Sequence, residues 1–393
     1  MRVEPVVKAN AYGHGSVPVA LALEAAGADG LSVATLDEAL ELRDAGVALP
    51  LLVLYPVPPD GVEIAAWSRI AVAVGGGALT ERILEAAGRA RAAGAPALEV
   101  ELEVDTGLGR GGVLPADVAD GVERVLRARG AALAGVWTHL AAADDEAAAI
   151  GQEERFGAAV EPLDDDDTLS AAPAPIRRHL AGSGGVLAAA VGRWEAVRPG
   201  LATYGLVPDG LRVPDAMADA VAALRPVMSL HARPVRVITL PTGHGVSYGP
   251  SYTTTRPTRI ATLPVGYGDG WRRSLSDRAE ALVRGVRVPI VGRVAMDAVM
   301  ADVTHIPGPA VTEDDEFVLL GAQGAERITA HDLAAAGGTI SYEVVTGMSR
   351  RLPRVYHAAG SPVEIRYLAA GRPEWRASSS GTGTSATSRS TRS

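Results

Sequence analysis

A lysine stands at the end of a short apolar run close to the start of the chain. Residues 6–15 have the sequence VVKANAYGHG, in which Lys8 follows two valines directly. An amine at the end of a buried strand loses hydration, which is unfavourable unless something there pairs or reacts with it. The residue type and its position therefore indicate an amine with a chemical function.

Other residues that react or bind anions follow further apolar runs. A lone histidine or arginine at the end of a strand is usually a satisfied polar group, but five strand ends that carry such residues are harder to assign to chance. They are Lys8, Asp105 followed by Arg110, His139, Ser183, and Arg198 followed by Gly200.

Eight strand-like runs alternate with helix-like segments in the first half of the chain. The segment 35–46 is typical, because Thr35 and Glu38 have capping-box spacing and Gly46 suits a helix end. This alternation predicts parallel strands and a closed (β/α)8 TIM barrel, in which reactive residues gather where the strands end. The runs are VEPVV, GLSVA, PLLVLY, RIAVAV, ALEVELEVD, AALAGVWTH, RRHLAG and WEAVRP.

The pattern changes at about Leu224, where short β-rich runs punctuated by Gly, Pro and Asp begin. We predict a barrel over residues 1–222, a mostly-β C-terminal domain over 223–370 and a disordered tail over 371–393. The tail is rich in Ser, Thr and Gly and cannot bury enough surface to fold.

Composition and charge exclude several partners. The net charge is −9 and no basic run is interleaved with aromatics, so neither nucleic acid nor an anionic membrane is expected to bind. The chain has no cysteine, and no metal site is predicted. With no apolar stretch that suggests a signal or a span, we expect a cytoplasmic protein that binds a small molecule.

The loops after the seventh and eighth runs, GSGG and RPG, lie where barrels of this kind commonly bind phosphate. A lysine amine beside a phosphate site and an imidazole is the arrangement that holds pyridoxal phosphate. Pyridoxal phosphate is therefore the partner that we predict for the Lys8 amine.

The fifth run carries four acids. Glu99, Glu101, Glu103 and Asp105 alternate with apolar residues, which places all four on one face. In a barrel the apolar face meets the helices, so we expect the acids to point inward and to need cations, with Arg110 the nearest.

Seven stretches together identify a resemblance to the bacterial alanine racemases, over nearly the whole chain. They occur in the order and spacing of that family, whose members are barrel enzymes that use pyridoxal phosphate. The stretches are VVKANAYGHG, VDTGLGRGG, WTHLAAADD, RPGLATYGL, VSYGPSYTTTRPTRIATLPVGYGDGW, GRVAMDAVMADVT and TISYEVVTGMSRRLPRVY.

The resemblance implies an alanine racemase that supplies D-alanine for peptidoglycan, and it implies a homodimer. Lys8 matches the lysine that binds the cofactor covalently and moves the α-proton on one face, and Tyr248 matches the tyrosine that acts on the other face from the neighbouring subunit. The implied cofactor-binding residues are Lys8, Tyr12, His139, Ser183, Arg198, Gly200, Leu201 and Arg350. The implied substrate-binding residues are Arg110, Met296 and Tyr267.

Racemisation needs an acid and a base on opposite faces of one carbon, and the resemblance supplies them as Lys8 and Tyr248. Both have ordinary pKa values near ~10, too high for a base at neutral pH unless the cofactor and nearby cations such as Arg110 and Arg198 lower them. An arginine opposite the pyridine nitrogen cannot give up its proton, so that nitrogen should stay unprotonated. The carbanion is then less delocalised into the ring, which favours prompt reprotonation over side reactions.

The chain departs from the family pattern in several places. Glu103 replaces a lysine that many members carbamylate, and its carboxylate is expected to orient Arg110 without carbon dioxide. Arg350 and Ala295 replace a tyrosine and a cysteine found in some members. The chain also begins seven residues before Lys8, so the resemblance implies that one strand and one helix found in relatives are missing.

Two alternatives remain open at this level. One is a racemase for another amino acid, such as serine or a larger side chain. The other is a non-catalytic pyridoxal-phosphate carrier, against which the second domain and Tyr248 argue. Exchange of the α-hydrogen of alanine in deuterated water separates enzyme from carrier, and chiral analysis across several amino acids separates the two racemases.

Overall fold

The computed structural model describes residues 1–165, 175–189, 191–192 and 194–368. The chain divides into two units, Met1–Met348 and Ser349–Ser393. The predicted tail, 371–393, lies outside the described residues, and the predicted boundary after residue 222 stays a prediction.

Eight parallel strands form a barrel in the first unit, which confirms the predicted fold class. They pair in the order β1-β8-β7-β6-β5-β4-β3-β2, and a parallel bridge between Val6 and Ser32 joins the chain beyond the first strand to the second. Runs of apolar, β-branched residues suit strands that are covered on both faces. The strands are β1 Arg2–Val3, β2 Leu31–Val33, β3 Leu51–Val53, β4 Ile70–Val74, β5 Leu98–Glu103, β6 Ala131–Trp137, β7 Arg177–His179 and β8 Ala196–Val197.

Helices alternate with these strands. The helix that follows β2 begins with the predicted capping box, in which the side chains of Thr35 and Glu38 each accept from the other's backbone N–H. The helices are α1 Lys8–Tyr12, α2 Ser16–Ala25, α3 Leu36–Asp44, α4 Val62–Trp67, α5 Gly77–Ala92, α6 Val118–Arg127, α7 Glu146–Val160, α8 Pro162–Asp165, α9 Ser183–Ala188 and α10 Ala218–Ala222. Short 3-10 helices lie at Pro59–Gly61, Pro115–Asp117, Leu201–Tyr204, Asp215–Met217, Tyr267–Asp269 and Arg273–Leu275.

The rest of the first unit is built from antiparallel sheets. One has the order β10-β13-β16, another the order β15-β14-β17-β18 with β9 also paired to β17, and β11 pairs with β12. The strands are β9 Leu230–Ala232, β10 Arg236–Leu240, β11 Gly245–Val246, β12 Tyr252–Thr253, β13 Thr258–Leu263, β14 Glu280–Val283, β15 Val286–Pro289, β16 Val299–Asp302, β17 Phe317–Gln323 and β18 Glu326–Ile328. Helices α11 Ala330–Gly337 and α12 Ser341–Thr346 follow.

In the second unit, β19 Arg354–Ala358 and β20 Ser361–Arg366 form an antiparallel pair. None of the helices in the described ranges has the length and the apolar character that a membrane crossing requires.

The acidic face of β5 differs from the prediction at its two ends. Glu101 and Glu103 are buried inside the barrel, as expected, but Glu99 is exposed. The Asp105 carboxylate does not point inward to a cation, because its Oδ1 accepts from the backbone N–H groups of the next loop, at Gly107, Leu108 and Gly109. The expectation of four inward acids was therefore wrong for two of them, since the alternation does not show where the strand enters and leaves the barrel.

The residues after Lys8 form an unusual turn. Ala9, Asn10, Ala11 and Tyr12 all have φ between 50° and 57°, so α1 winds left-handed. Gly13 ends it with φ 81°, and its Cα lies so close to the chain that an added Cβ would be 2.0 Å from the carbonyl oxygen of Val345. Only glycine fits there, because both the conformation and the space exclude a side chain.

We expect the variant Gly13→Ala to be far less stable than Gly27→Ala. Both glycines have similar positive φ, 81° and 86°, but a Cβ at Gly27 would meet nothing within 4 Å. The strain of a positive φ costs about 1 kcal/mol at either site, and only Gly13 adds the clash. Urea unfolding would measure both, and equal losses would contradict the close contact.

Candidate active site

A cavity of about 330 Å³ lies where the barrel strands end. Its walls come from the loops after several different strands, which is where the fold places reactive residues. Eight of the residues singled out from the sequence line it, namely Lys8, Tyr12, Arg110, His139, Ser183, Arg198, Gly200 and Leu201.

Lys8 stands in an environment that favours the neutral amine. Burial lowers its pKa, Arg110 and Arg198 lower it further, and Glu38 opposes them. Glu38 also holds the backbone beside the lysine, because its Oε1 accepts from Ala9 N at 2.7 Å while Oε2 accepts from Ala34 N at 2.8 Å. A lowered pKa makes the amine a better nucleophile and base near neutral pH.

The loops after β7 and β8 are tied to one another and to Tyr12. Ser183 Oγ accepts from the N–H groups of Gly200 and Ala202, at 2.8 and 3.1 Å. A Cβ at Gly200 would lie 2.5 Å from the Tyr12 hydroxyl oxygen, so the missing side chain lets the phenol reach this loop. The Tyr12 ring stacks on Tyr204, with centroids 5.0 Å apart, and burial raises the pKa of Tyr12.

Arg198 is almost fully buried in the floor of the cavity, at 3% exposed. Its Nη2 donates to the carbonyl oxygen of Thr138 at 2.8 Å, and its guanidinium lies over the Trp137 ring, 4.7 Å from the centroid. Burial lowers its pKa to about 10, which still leaves it charged at neutral pH.

His139 is held neutral. Burial first, and then the charges of Arg198, Arg110 and Lys8, lower its pKa to about 3. A neutral imidazole in this wall can pack against an aromatic ligand without adding to the positive charge of the two arginines.

Arg110 and Glu103 form the predicted pair. Arg110 Nη2 lies 3.3 Å from Glu103 Oε1, and its guanidinium lies over the Tyr55 ring, 5.6 Å from the centroid. Burial raises the pKa of Glu103, and the charge and hydrogen bond of Arg110 oppose that rise.

Three further sequence-predicted residues do not line the cavity. Tyr248, Tyr267 and Met296 are exposed, at 73%, 43% and 52%. Two backbone hydrogen bonds join the last two loops, from Tyr267 N to Ala295 O and from Gly268 N to Met296 O. Arg350 belongs to the second unit and is exposed, and its predicted role at the cofactor phosphate stays a prediction.

The sequence analysis missed other residues of the cavity wall. Tyr342, on α12, lines the cavity with its ring centroid 6.1 Å from that of Tyr12, and Trp137 and Tyr55 also line it. Tyr342 lies in TISYEVVTGMSRRLPRVY and Trp137 in WTHLAAADD, both among the stretches that carry the resemblance, so an aromatic residue in each was an available signal. Two buried residues beneath the cavity, Glu101 and His179, were also not assigned a role at the site.

Fold and site together define a (β/α)8-barrel protein whose cavity combines a lysine amine, an imidazole and two guanidinium groups. The family model "Alanine racemase, N-terminal domain" matches residues 1–208, and "Alanine racemase, C-terminal domain" matches residues 227–356. The chain belongs to the alanine racemase family.

Individual relatives agree with this assignment. An alanine racemase of Symbiobacterium thermophilum is 43% identical over 359 residues, which cover 90% of each chain. A solved alanine racemase of Bacillus anthracis with bound L-Ala-P is 35% identical with a TM-score of 0.80, covering 93% of this chain and 91% of that one. An alanine racemase of Clostridium difficile 630 has a TM-score of 0.82 at 31% identity, covering 93% and 92%.

We expect His139 to make the cofactor-free protein sensitive to acid. Its pKa is about 3 when folded and ordinarily 6.5, so the unfolded chain binds more protons as pH falls below 6.5. Stability should therefore fall from pH 6.5 towards pH 3, by at most about 1.4 kcal/mol per pH unit from this group. In His139→Gln the fall should be shallower. Urea unfolding at several pH values measures it, with the exposed His305→Gln as control, and parallel curves for His139→Gln and wild type would contradict it.

Proposed function

We propose that this protein interconverts L-alanine and D-alanine with pyridoxal phosphate as its cofactor. The carrying observation is Lys8, whose pKa is lowered in a cavity that also contains an imidazole and two arginines, in a chain of the alanine racemase family. The product D-alanine would serve peptidoglycan synthesis. In keeping with the family, we also propose a cytoplasmic homodimer.

The residues present fit pyridoxal phosphate. A phosphate would lie beside Gly200, where a Cβ would fill the space next to the Tyr12 hydroxyl. The hydroxyl groups of Tyr12 and Ser183 are the polar groups at this place. Leu201 is the further proposed phosphate contact, His139 would pack on the ring and Arg198 would face its nitrogen. When bound, this cofactor supplies a covalent link to the substrate's amino group and an electron-withdrawing ring that acidifies the α-carbon.

The protein's own groups would then bind the substrate and move its proton. Lys8 holds or takes the α-proton on one face, helped by its lowered pKa. Arg110, held by Glu103, would bind the substrate carboxylate together with the backbone N–H of Met296, while Tyr267 would lie at the entrance. The second proton-transfer group is proposed to be Tyr248 of a second copy of the chain, since its phenol is exposed on this one.

We expect Tyr248→Phe to keep the cofactor but lose racemisation. Removing one of two proton-transfer groups should lower turnover at least about 100-fold in both directions, because each direction uses both groups. Visible absorption that borohydride fixes onto Lys8 should remain. Hydrogen exchange at the α-carbon in deuterated water should persist from D-alanine alone, because Lys8 is intact.

The control for Tyr248→Phe is Tyr252→Phe. Tyr252 is on β12, where its hydroxyl donates to Asp302 Oδ2 at 3.3 Å. The Tyr252→Phe variant should racemise alanine like the wild type. Unchanged turnover in both directions by Tyr248→Phe would reject the assignment of two bases, and absence of exchange in the wild type would favour a non-catalytic carrier.

We expect Glu103→Gln to weaken substrate binding. The amide leaves Arg110 without a charged partner, and losing a hydrogen bond to a charged group should raise the KM for alanine about 10-fold or more. Glu99→Gln, at the exposed end of the same strand, should behave like the wild type. Added bicarbonate should not restore Glu103→Gln, and a full recovery would show that the Glu103 carboxylate is not what orients Arg110.

A further inference from the structure

A chain of hydrogen bonds runs beneath the cavity, inside the barrel. Glu101, on β5, is fully buried, and its two carboxylate oxygens contact different residues of β7. Oε1 accepts from Arg177 Nη2 at 2.5 Å, and Oε2 lies 2.8 Å from His179 Nε2. The other ring nitrogen of His179, Nδ1, is hydrogen-bonded to Arg198 Nη1 in the cavity floor.

The strand between β5 and β7 makes room for these contacts. Gly135 of β6 pairs with Glu101 on one side and with Arg177 on the other. A Cβ at Gly135 would lie 2.9 Å from Glu101 Cδ. The arginine can therefore reach across the middle strand to the carboxylate only because that position has no side chain.

The direction of the hydrogen bonds follows from which groups can donate. Burial opposes the ionisation of Glu101, but its contacts with His179 and Arg177 outweigh burial and hold its pKa at about 2, so it is an acceptor only. Burial and Arg198 lower the pKa of His179, which favours one proton on the ring. That proton must be on Nε2, facing the carboxylate, so Nδ1 accepts from Arg198.

The orientation of the Arg198 guanidinium depends on the acceptor at His179 Nδ1. Its Nη2 is held by the carbonyl oxygen of Thr138, and its flat face lies on Trp137, so the hydrogen bond from Nη1 to His179 fixes the remaining rotation of the guanidinium. If His179 carried its proton on Nδ1, two N–H groups would face each other in a buried place. The guanidinium would then have to turn or move.

We propose that Glu101 is a positioning residue for Arg198. Glu101 acts by holding His179 in the tautomer with the proton on Nε2, which then accepts from Arg198 through Nδ1. Its expected effect on turnover rests on the proposed function, because there Arg198 faces the cofactor. The hydrogen-bond arrangement itself does not rest on it.

The first test locates the hydrogens directly. Neutron diffraction from deuterated crystals of the full chain, loaded with pyridoxal phosphate, should show deuterium on His179 Nε2 and none on Nδ1. Deuterium on Nδ1 would overturn the proposal, whether or not the protein proves to racemise alanine. No substitution is involved, so the result does not depend on a variant that folds.

The second test replaces Glu101. Glu101→Gln keeps the shape, but its amide nitrogen can donate to Nε2 and so favour the wrong tautomer. We expect kcat to fall about 10-fold or more with a smaller change in KM, and the visible absorption of the bound cofactor to shift. Glu101→Asp, which restores the charge, should recover part of both.

Glu99→Gln is the matched control, because it removes an exposed carboxylate two positions away on the same strand. It should leave kcat and the absorption unchanged. A folded Glu101→Gln with wild-type kcat and absorption would overturn the proposal, and so would a variant that only unfolds more readily in urea. If the wild type does not racemise alanine, the proposed function fails, while the absorption shift and the hydrogen positions still decide the role of Glu101.

Discussion

The burial of charge inside the barrel is the constraint on which the site depends. Taking an arginine out of water costs several kcal/mol unless it is paired, and Arg198 is almost wholly buried. The compensation does not come from its own loop: Thr138 follows β6, His179 is on β7 and Glu101 is on β5. Because the partners lie on different strands, the orientation of this one guanidinium is tied to the register of the sheet. A shift of one residue in β5 would turn Glu101 to the helix side and leave the barrel interior with unpaired cations.

Backbone strain in the turn that carries Lys8 and Tyr12 is a second energetic cost of the site. Left-handed residues other than glycine cost about 1–2 kcal/mol each, and four follow one another here. Two polar side chains hold it: Glu38, outside the turn, accepts from Ala9 N, and Asn10, within the turn, accepts through Oδ1 from Ser16 N at 3.1 Å. Strain of this kind persists only where the surroundings determine the conformation, and it is common at functional sites. Its consequence here is that the amine and the phenol both line one cavity although only three residues separate them.

Sequence alone predicted the barrel and most of the cavity, for a physical reason. Apolar runs separated by capped helices determine strand order, and parallel strands then bring their ends together, so residues such as His139 and Ser183 could be placed in one site. Side-chain partners across strands could not be placed in this way. The run RRHLAG is too polar to mark Arg177 and His179 as interior residues, and only the register with Gly135 of β6 shows that Arg177 faces Glu101. Tyr342 was missed because it comes from α12, far along the chain, where no strand end marks it.

The charges around Lys8 also explain why its own chain provides only half of the proposed chemistry. Burial, and then Arg110 and Arg198, lower the pKa of Lys8 and that of His139, so the cavity contains one amine that can exchange a proton and an imidazole that stays neutral. Tyr12 and Tyr342, two of the phenols in this wall, have raised pKa values because they are buried, and they therefore make poor bases. In the proposed mechanism the second base is Tyr248, which is exposed on this chain, in a loop joined to the Met296 loop by the hydrogen bond from Ser247 Oγ to Arg293 O. The pKa pattern of the cavity and the exposure of that phenol thus favour the same proposal, in which a second copy of the chain completes the site.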